Sequence, residues 1–497
     1  MRFSVLMLLA LGLFGCSPKA VEGEFPRLGR GVLVIEVEAW RRDHLGLYGY
    51  DKATSPFLEN LAGRVIVFDN AWSTGADAMP AAVSLLTGCD PIVARRPGIE
   101  LADGSVLDPA YPWDVTERVP RVAFQFLLDG YRTCLLGGDG ALENLRGLRL
   151  GFENVRWPER NAKGGVQERD LAELGSELLD WTHSLKAGQD WFAYLEVSDL
   201  EHFHRGGKVA SGFEYKKGLD FVPPVGPSEP VFHALPRSRV TPELETMADY
   251  VGAYDSALAQ LDSDLRHLFA SLGKQNLLSR TTIVLVGGYG MGFGEAGLLA
   301  EAGTLSEVDL AVPLLIRPAP ELEMPVGQRI SAVVSLVDVG PTLMHMHQVQ
   351  MPSDLAGRSM AGLMVGKTDK IREHAFAIGD IHAGYAVIDE SGMLIHSWPQ
   401  IGGPPGLGMS WFGRDDVGDQ ATELLLPRGA GLLPNAYRGG VDDPAWADRL
   451  RAAGHAWSQA GKLLRDLNFE SPVSTRRVEA SVGEADQAKP SSLLKGE

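Results

Sequence analysis

The sequence predicts an α/β fold built on a mainly parallel sheet, and three observations carry that prediction. Apolar, β-branched runs recur without alternation, as expected of strands buried on both faces. Helical periodicity lies between them. The 497 residues, 45% of them hydrophobic, are enough to bury a sizeable core. The first run is Gly31 to Glu38 (GVLVIEVE). It is followed by Tyr131 to Gly137 (YRTCLLG), Trp191 to Ser198 (WFAYLEVS), Thr281 to Gly288 (TTIVLVGG) and Val312 to Pro318 (VPLLIRP). The longest helical pattern is Pro242 to Leu272, with Tyr250, Tyr254, Leu258, Leu261, Leu265 and Leu268 at helical spacing. Strands that alternate with helices place the sheet between helical layers.

The remaining segments differ in texture. Phe203 to Pro236 is rich in Gly, Pro and Lys and lacks periodicity, so residues 203–236 read as a long surface insertion. The α/β body is expected to run over residues 31–370. His374 to Ile381, Tyr385 to Glu390 and Met393 to Trp398 are short strand-like runs at hairpin spacing. They predict a small antiparallel sheet within residues 371–470, with a final helix around Ala445 to Leu467. Residues 471–497 are polar and almost without large hydrophobes, which predicts a disordered tail.

Residues 1–15 have the form of a signal peptide. Arg2 supplies the basic start, and Phe3 to Phe14 is an apolar run too short to span a bilayer. The sequence Leu13-Phe14-Gly15-Cys16 resembles the bacterial lipobox, a small residue before a cysteine that is acylated. The resemblance implies a lipid on Cys16, residues 16–30 as a tether, and export. Ser17 after the cysteine favours the outer membrane. Cys89 and Cys134 remain, and two small buried thiols are expected of them, although one disulfide is arithmetically open. The 46 basic and 64 acidic residues give a net charge of −18, which argues against nucleic acid and against a basic patch for anionic lipid.

A series of landmarks runs through the body. Val32 to Tyr50 (VLVIEVEAWRRDHLGLYGY) is followed by Thr54 to Ala62, Val67 to Thr74 (VFDNAWST) and Met79 to Gly88 (MPAAVSLLTG). Leu127 to Thr133, Tyr254 to Asp262, Val312 to Ile316, Leu336 to Leu343 and Leu355 to Ser359 come later. In this order, over roughly residues 31–400, they resemble a sulfatase of the alkaline phosphatase superfamily. The resemblance implies a central mixed sheet between helices and a smaller C-terminal sheet packed against it. It also implies sulfuric or phosphoric ester hydrolysis, which needs a nucleophile at a helix start, a cation held by carboxylates, and basic groups that stabilise charge.

Each of these parts has an expected place. The nucleophile, two residues before Pro80, is replaced by Ala78, and the basic residue after that proline by Ala82. Asp77 lies beside the slot, where a turn or cap residue is the plainer reading. Glu38 stands where the family has its first metal-ligating Asp, and the second ligand pair is replaced by Gly288 and Tyr289, with Glu295 keeping the local rhythm. Lys and His of many relatives are replaced in Gly137 to Gly140 and in Ala300 to Thr304, and a family His falls on Glu201 or His202. One retained carboxylate cannot hold a hard cation tightly, because such sites use about six oxygen ligands. The expectation is therefore a catalytically inactive binding or scaffolding protein without a cofactor. Its expected partners are the membrane, through the lipid, and a protein or an envelope polysaccharide. The alternative is a metal-dependent ester hydrolase with a non-standard site, which would need Ca or Mg.

Weaker candidates stand beside these. His202 with His204 is a conceivable metal pair, although surface-loop histidines are commoner. His345 and His347 lie at i and i+2 of a helical stretch and do not share a face. Trp113, Trp157, Trp398 and Trp411 suggest a sugar site or, by default, core packing. The glycine-dense Gly287 to Gly294 lacks the Lys-Ser/Thr of a phosphate loop.

Overall fold

The computed structural model describes residues 31–397 and the strand Thr422–Pro427, apart from 95–98, 101–105, 108–114, 144–146, 162–163, 216–218, 229, 231–233, 296–297, 354, 380–384 and 391. The signal segment with Cys16, the final helix and the tail lie outside the described residues, as do Trp113, Trp398 and Trp411.

The apolar runs form the centre of an eight-stranded sheet. In chain order its strands are β1 (Gly31–Val37), β2 (Ile66–Phe68), β3 (Arg132–Gly137), β4 (Asn154–Arg156), β5 (Trp191–Val197), β6 (Thr281–Gly287), β7 (Leu314–Arg317) and β8 (Gln328–Ile330). The spatial order is β8-β2-β7-β6-β1-β5-β3-β4. β1 pairs in parallel with β5 and β6, whereas β7 pairs antiparallel with β6 and with β2. β7 is therefore the single reversed strand of a mixed, mainly parallel sheet. Every residue of β1, β5 and β6 is buried, which explains why their sequences lack alternation.

Among the described residues, five helices of seven residues or more flank the sheet: α1 (Ala78–Thr87), α2 (Val122–Leu128), α3 (Leu171–His183), α4 (Met247–Lys274) and α5 (Val339–Met346). α1, α2 and α5 pack together, and α3 packs on α4. α4 starts at a capping box in which Thr246 and Asp249 satisfy each other's backbone N–H groups, and Tyr250, Tyr254, Leu258, Leu261, Leu265 and Leu268 are all buried. A second, antiparallel sheet follows, with strands β9 (Ala375–Ile378), β10 (Tyr385–Ile388), β11 (Gly392–Ser397) and β12 (Thr422–Pro427) in that order. No described helix is long and apolar enough to cross a membrane.

Candidate functional site

The carboxyl ends of the parallel strands meet where β1, β5, β3 and β6 lie side by side, the usual place for a site in such sheets. Successive residues of a strand alternate faces, so Glu36 and Glu38 project to the same side of β1. The register sets Glu36 beside Glu196 of β5, and Glu196 beside Gly137 of β3. A Cβ on Gly137 would lie 2.9 Å from Glu196 Oε2 and closer still to the Trp157 ring. Glycine there leaves room for both. The Gly138 N–H donates to Glu196 Oε2 at 2.9 Å. Asp139 follows, and one oxygen each of Glu38, Asp139 and Glu196 lies within 4.8 Å of the others.

Burial decides the electrostatics of this cluster. Glu36, Glu38 and Glu196 are at most 1% exposed. Desolvation, the largest cause, lifts the Glu36 carboxyl to about 7, against a hydrogen bond from the Tyr194 hydroxyl that favours ionisation. Desolvation also raises Glu38 and Glu196 well above the ordinary carboxylate range, and their acidic neighbours add to it. Burial pushes Asp139 up too, but hydrogen bonds from His202 (3.1 Å) and from the Ala141 N–H (2.7 Å) outweigh it, and its net shift is down. Glu36 Oε1 has no hydrogen-bond partner among the described residues, whereas Glu196 hydrogen-bonds the Glu38 and Asp139 carboxyls. Sequence reasoning missed Glu36, Glu196 and Asp139. The available signal was acidic residues inside or directly after apolar strand runs.

The places where a sulfatase keeps its machinery are differently filled. Ala78 is the first residue of α1 and is 6% exposed. Asp77 is the N-cap of that helix, its Oδ1 accepting from the Met79 N–H at 3.1 Å. Ala82 is fully buried in the apolar core. A Cβ on Gly288 would come closer than 3.0 Å to Glu36 Oε1. The Tyr289 hydroxyl lies 3.1 Å from Glu201 Oε2 and 3.4 Å from Glu38 Oε2. The residues at the family's metal place therefore do not fit a metal ion. Gly288 offers no side-chain donor, the Tyr289 hydroxyl hydrogen-bonds Glu201 and Glu38, and the space before Gly288 holds another side chain.

The nearby cations are committed elsewhere. Arg239 pairs with Glu201 and Glu301, and its guanidinium lies 3.4 Å from His204 Nδ1. Burial, helped by Arg239, drops His204 to about 3. His202 faces Asp139 instead, so the two histidines serve different partners. Arg41 is bonded to Asp43 and to Glu295, the latter at 2.6 Å. His345 bonds the Ser359 hydroxyl at 2.8 Å, whereas buried His347 bonds Thr282 at 3.0 Å. These two point to different surroundings. Cys89 and Cys134 are both buried, and no disulfide joins them.

The mixed sheet, the long helix α4 and the site at the strand ends define an alkaline-phosphatase-like α/β scaffold. The sulfatase family model matches residues 30–349. The chain belongs to the sulfatase family. It is 19% identical over 422 residues to a Delta 4,5-hexuronate-2-O-sulfatase of Bacteroides thetaiotaomicron, a match covering 78% of this chain and 81% of that protein. It is 30% identical to Arylsulfatase K of Xenopus laevis over 126 residues, 25% of this chain and 23% of the relative. Several of the curated relatives are thus matched over less than a quarter of their own length. The fold is similar to that of a phosphonate monoester hydrolase of Agrobacterium radiobacter, with a TM-score of 0.62, 16% identity, and coverage of 87% and 96% of the two chains. It is also similar to a 2-O GAG sulfatase, with a TM-score of 0.61, 14% identity, and coverage of 89% and 93%.

Proposed function

We propose that this sulfatase-family protein does not hydrolyse esters and acts as a binding or scaffolding component of the bacterial envelope. The observation that carries the reading is the filling of the catalytic place. Ala78 supplies no nucleophile at the start of α1, and Tyr289 links Glu38 to Glu201 where a metal and its ligands would lie. A sulfate or phosphate ester also meets unfavourable charge there. The nearest groups are carboxyls, and Arg239 and Arg41 are held in ion pairs. Electrostatic stabilisation of the developing charge, commonly the largest catalytic contribution, has no donor set to supply it.

Export and anchoring through a lipid on Cys16, in the outer membrane, complete the proposal. They rest on the basic start, the apolar run and the lipobox-like Leu13 to Cys16. The partner is a protein or an envelope polysaccharide. The alternative, a metal-dependent sulfuric or phosphoric ester hydrolase with a non-standard site, is favoured by one observation, the oxygen cluster of Glu38, Asp139 and Glu196.

The test is turnover of aryl sulfates, phosphate monoesters and phosphonate monoesters by the purified protein, with Ca²⁺ or Mg²⁺ and with chelator. The expected rate equals that of heat-inactivated protein throughout. Saturable, metal-dependent turnover abolished by Glu38→Ala would overturn the reading in favour of the alternative.

A further inference from the structure

We infer that the amino-terminal edge of the large sheet rests on the lipid bilayer through Leu128, Leu150, Val326 and Met351, so that the strand ends bearing the site face away from the membrane. The inference rests on the anchoring through Cys16 proposed above.

The strand directions define this edge. Gly31 of β1 pairs with Trp191 of β5 and Thr281 of β6, and Trp191 pairs with Arg132 of β3, so the first residues of these strands stand in one row. β2 and β8 begin at the same edge, because β7 is antiparallel to both β6 and β2, and β8 is parallel to β2. The exposed large apolar side chains sort by end. Leu128 closes α2 just before β3. Leu150 precedes Gly151, whose carbonyl accepts from the Thr133 hydroxyl of β3 at 2.6 Å. Val326 lies just before β8, and Met351 follows His347, which bonds Thr282 of β6. These four are at least 45% exposed. Among the described residues, the others of this kind lie between Phe221 and Val240, beyond the carboxyl end of β5.

Single exposed apolar residues are ordinary on protein surfaces, so their position decides what covers them. A lipid on Cys16 leaves residues 17–30 between the membrane and Gly31. Fully extended, that segment reaches at most about 50 Å. A body of this size is itself about 50 Å across, so the far end could face the bilayer only with the segment drawn out along the whole body. The edge at Gly31 is therefore the one held against the lipid. Anchoring also makes the contact intramolecular, and a few apolar side chains then suffice where a free protein would bind too weakly. Charge permits the approach. The exposed Arg64, Arg132 and Arg280 precede or begin strands here and stand against Asp129, Glu153 and Asp190, so the edge lacks the acidic excess of a chain with net charge −18. Arginine stems can lie along the lipid while their heads reach the headgroups.

The experiment places a nitroxide spin label at Leu128→Cys, at Leu150→Cys and, for reference, at Val222→Cys. The full-length protein, processed and purified from cells, is reconstituted by its own anchor into vesicles of phosphatidylethanolamine and phosphatidylglycerol. All three positions are exposed, so the substitutions leave the core untouched, and the buried Cys89 and Cys134 are checked for background label in the unsubstituted protein. Accessibility to oxygen, which concentrates in lipid, is compared with accessibility to a water-soluble nickel chelate. On transfer from detergent-free buffer to vesicles, the oxygen-to-nickel ratio should rise several-fold at 128 and 150 and stay unchanged at 222. Labels at 128 and 150 that remain in water overturn the inference, as does a rise at 222 alone, which would turn the site end to the membrane. Labels at 128 and 150 shielded from both reagents mean that protein covers this edge, and also overturn it. Mass spectrometry of the Cys16 peptide separates the two readings. An unmodified cysteine overturns the anchoring and this orientation together, whereas an acylated chain with labels in water overturns the orientation alone.

Discussion

The Glu36 carboxylate fills the space that a side chain at Gly288 would need. A Cβ there would come closer than 3.0 Å to Glu36 Oε1, while the Tyr194 hydroxyl holds the other carboxylate oxygen. The two positions lie on adjacent strands or just beyond them, so a carboxylate on one excludes a side chain on the other. Glycine at 288 is a steric consequence of glutamate at 36.

This relationship predicts the outcome of restoring an acidic residue. Gly288→Asp should destabilise the protein by about 1–3 kcal/mol, through overpacking and added carboxylate repulsion. Glu36→Ala in the same chain should recover much of that loss. Urea unfolding of both single variants and the double variant measures the coupling. Simple additivity of the two effects would contradict the relationship, since contacting residues couple by 0.5 kcal/mol or more, roughly.

Asp309 gives a prediction in pH. Its carboxyl is fully buried and is lifted to about 7 by desolvation, against hydrogen bonds from the Thr304 hydroxyl and N–H. The folded chain therefore holds this proton more tightly than the unfolded chain, whose ordinary value is 3.8. The associated stability is full below pH 4 and is lost as pH rises toward 7. The shift corresponds to about 4 kcal/mol. Asp309→Asn stays neutral and keeps an acceptor for Thr304. Its urea midpoint should be near wild type at pH 4 and clearly higher at pH 8. Equal midpoints at pH 8 would refute the linkage.

The sheet and the long helix were legible because buried parallel strands and amphipathic helices leave direct patterns. The short strands Ile66–Phe68, Asn154–Arg156 and Gln328–Ile330 were not, because three residues are too few to show a period. The helix predicted from Pro242 begins only at Met247, where Thr246 and Asp249 close the capping box. In the site, Ala78, Glu38, Gly288 and Tyr289 could be singled out by order along the chain. Their new neighbours could not. Glu36 and Glu196 meet through strand register, and Asp139 reaches them through a turn after β3, all of which are properties of the folded sheet. The expectation of one retained carboxylate, Glu38, is answered by a cluster of buried carboxyl groups. Sequence reasoning weighed only the replaced ligands, so it did not count residues absent from the family pattern.

Arg239 is the cation that balances one side of this region. It is 5% exposed and pairs with Glu201 and Glu301. Arg239→Ala should cost about 2–3 kcal/mol, below the full cost of breaking a buried pair, because it leaves the half-buried carboxylates of Glu201 and Glu301 uncompensated. Adding Glu201→Gln should restore part of that loss. Thermal melts at pH 7 measure both effects, and a loss below about 1 kcal/mol for Arg239→Ala would show that the pair is solvent-relaxed.

Anchoring is tested by labelling cells that express the protein with palmitate. The wild-type chain should incorporate label and fractionate with outer membranes, whereas Cys16→Ala should incorporate none and leave the membrane fraction. Acyl chains anchor through buried methylenes at about 0.8 kcal/mol each, so loss of the cysteine removes the whole effect. Label that survives Cys16→Ala would place the lipid elsewhere or show the lipobox reading to be mistaken.

Returning a nucleophile alone should not return hydrolysis. Ala78→Cys or Ala78→Ser puts a thiol or hydroxyl at the start of α1, where helix N–H groups favour an anion. The remaining parts stay missing. Ala82 supplies no cation, Gly288 no ligand, and Tyr289 still bridges Glu38 and Glu201. Each lost electrostatic partner commonly costs 10²–10³-fold in rate, roughly, and groups that act as a unit fail together. Aryl sulfate and phosphonate monoester turnover by either variant should stay at background in the presence of Ca²⁺ or Mg²⁺. Saturable turnover from one of these single substitutions would mean that the rest of the site is competent. The non-hydrolytic reading would then rest on a single residue rather than on the rearrangement of the site as a whole.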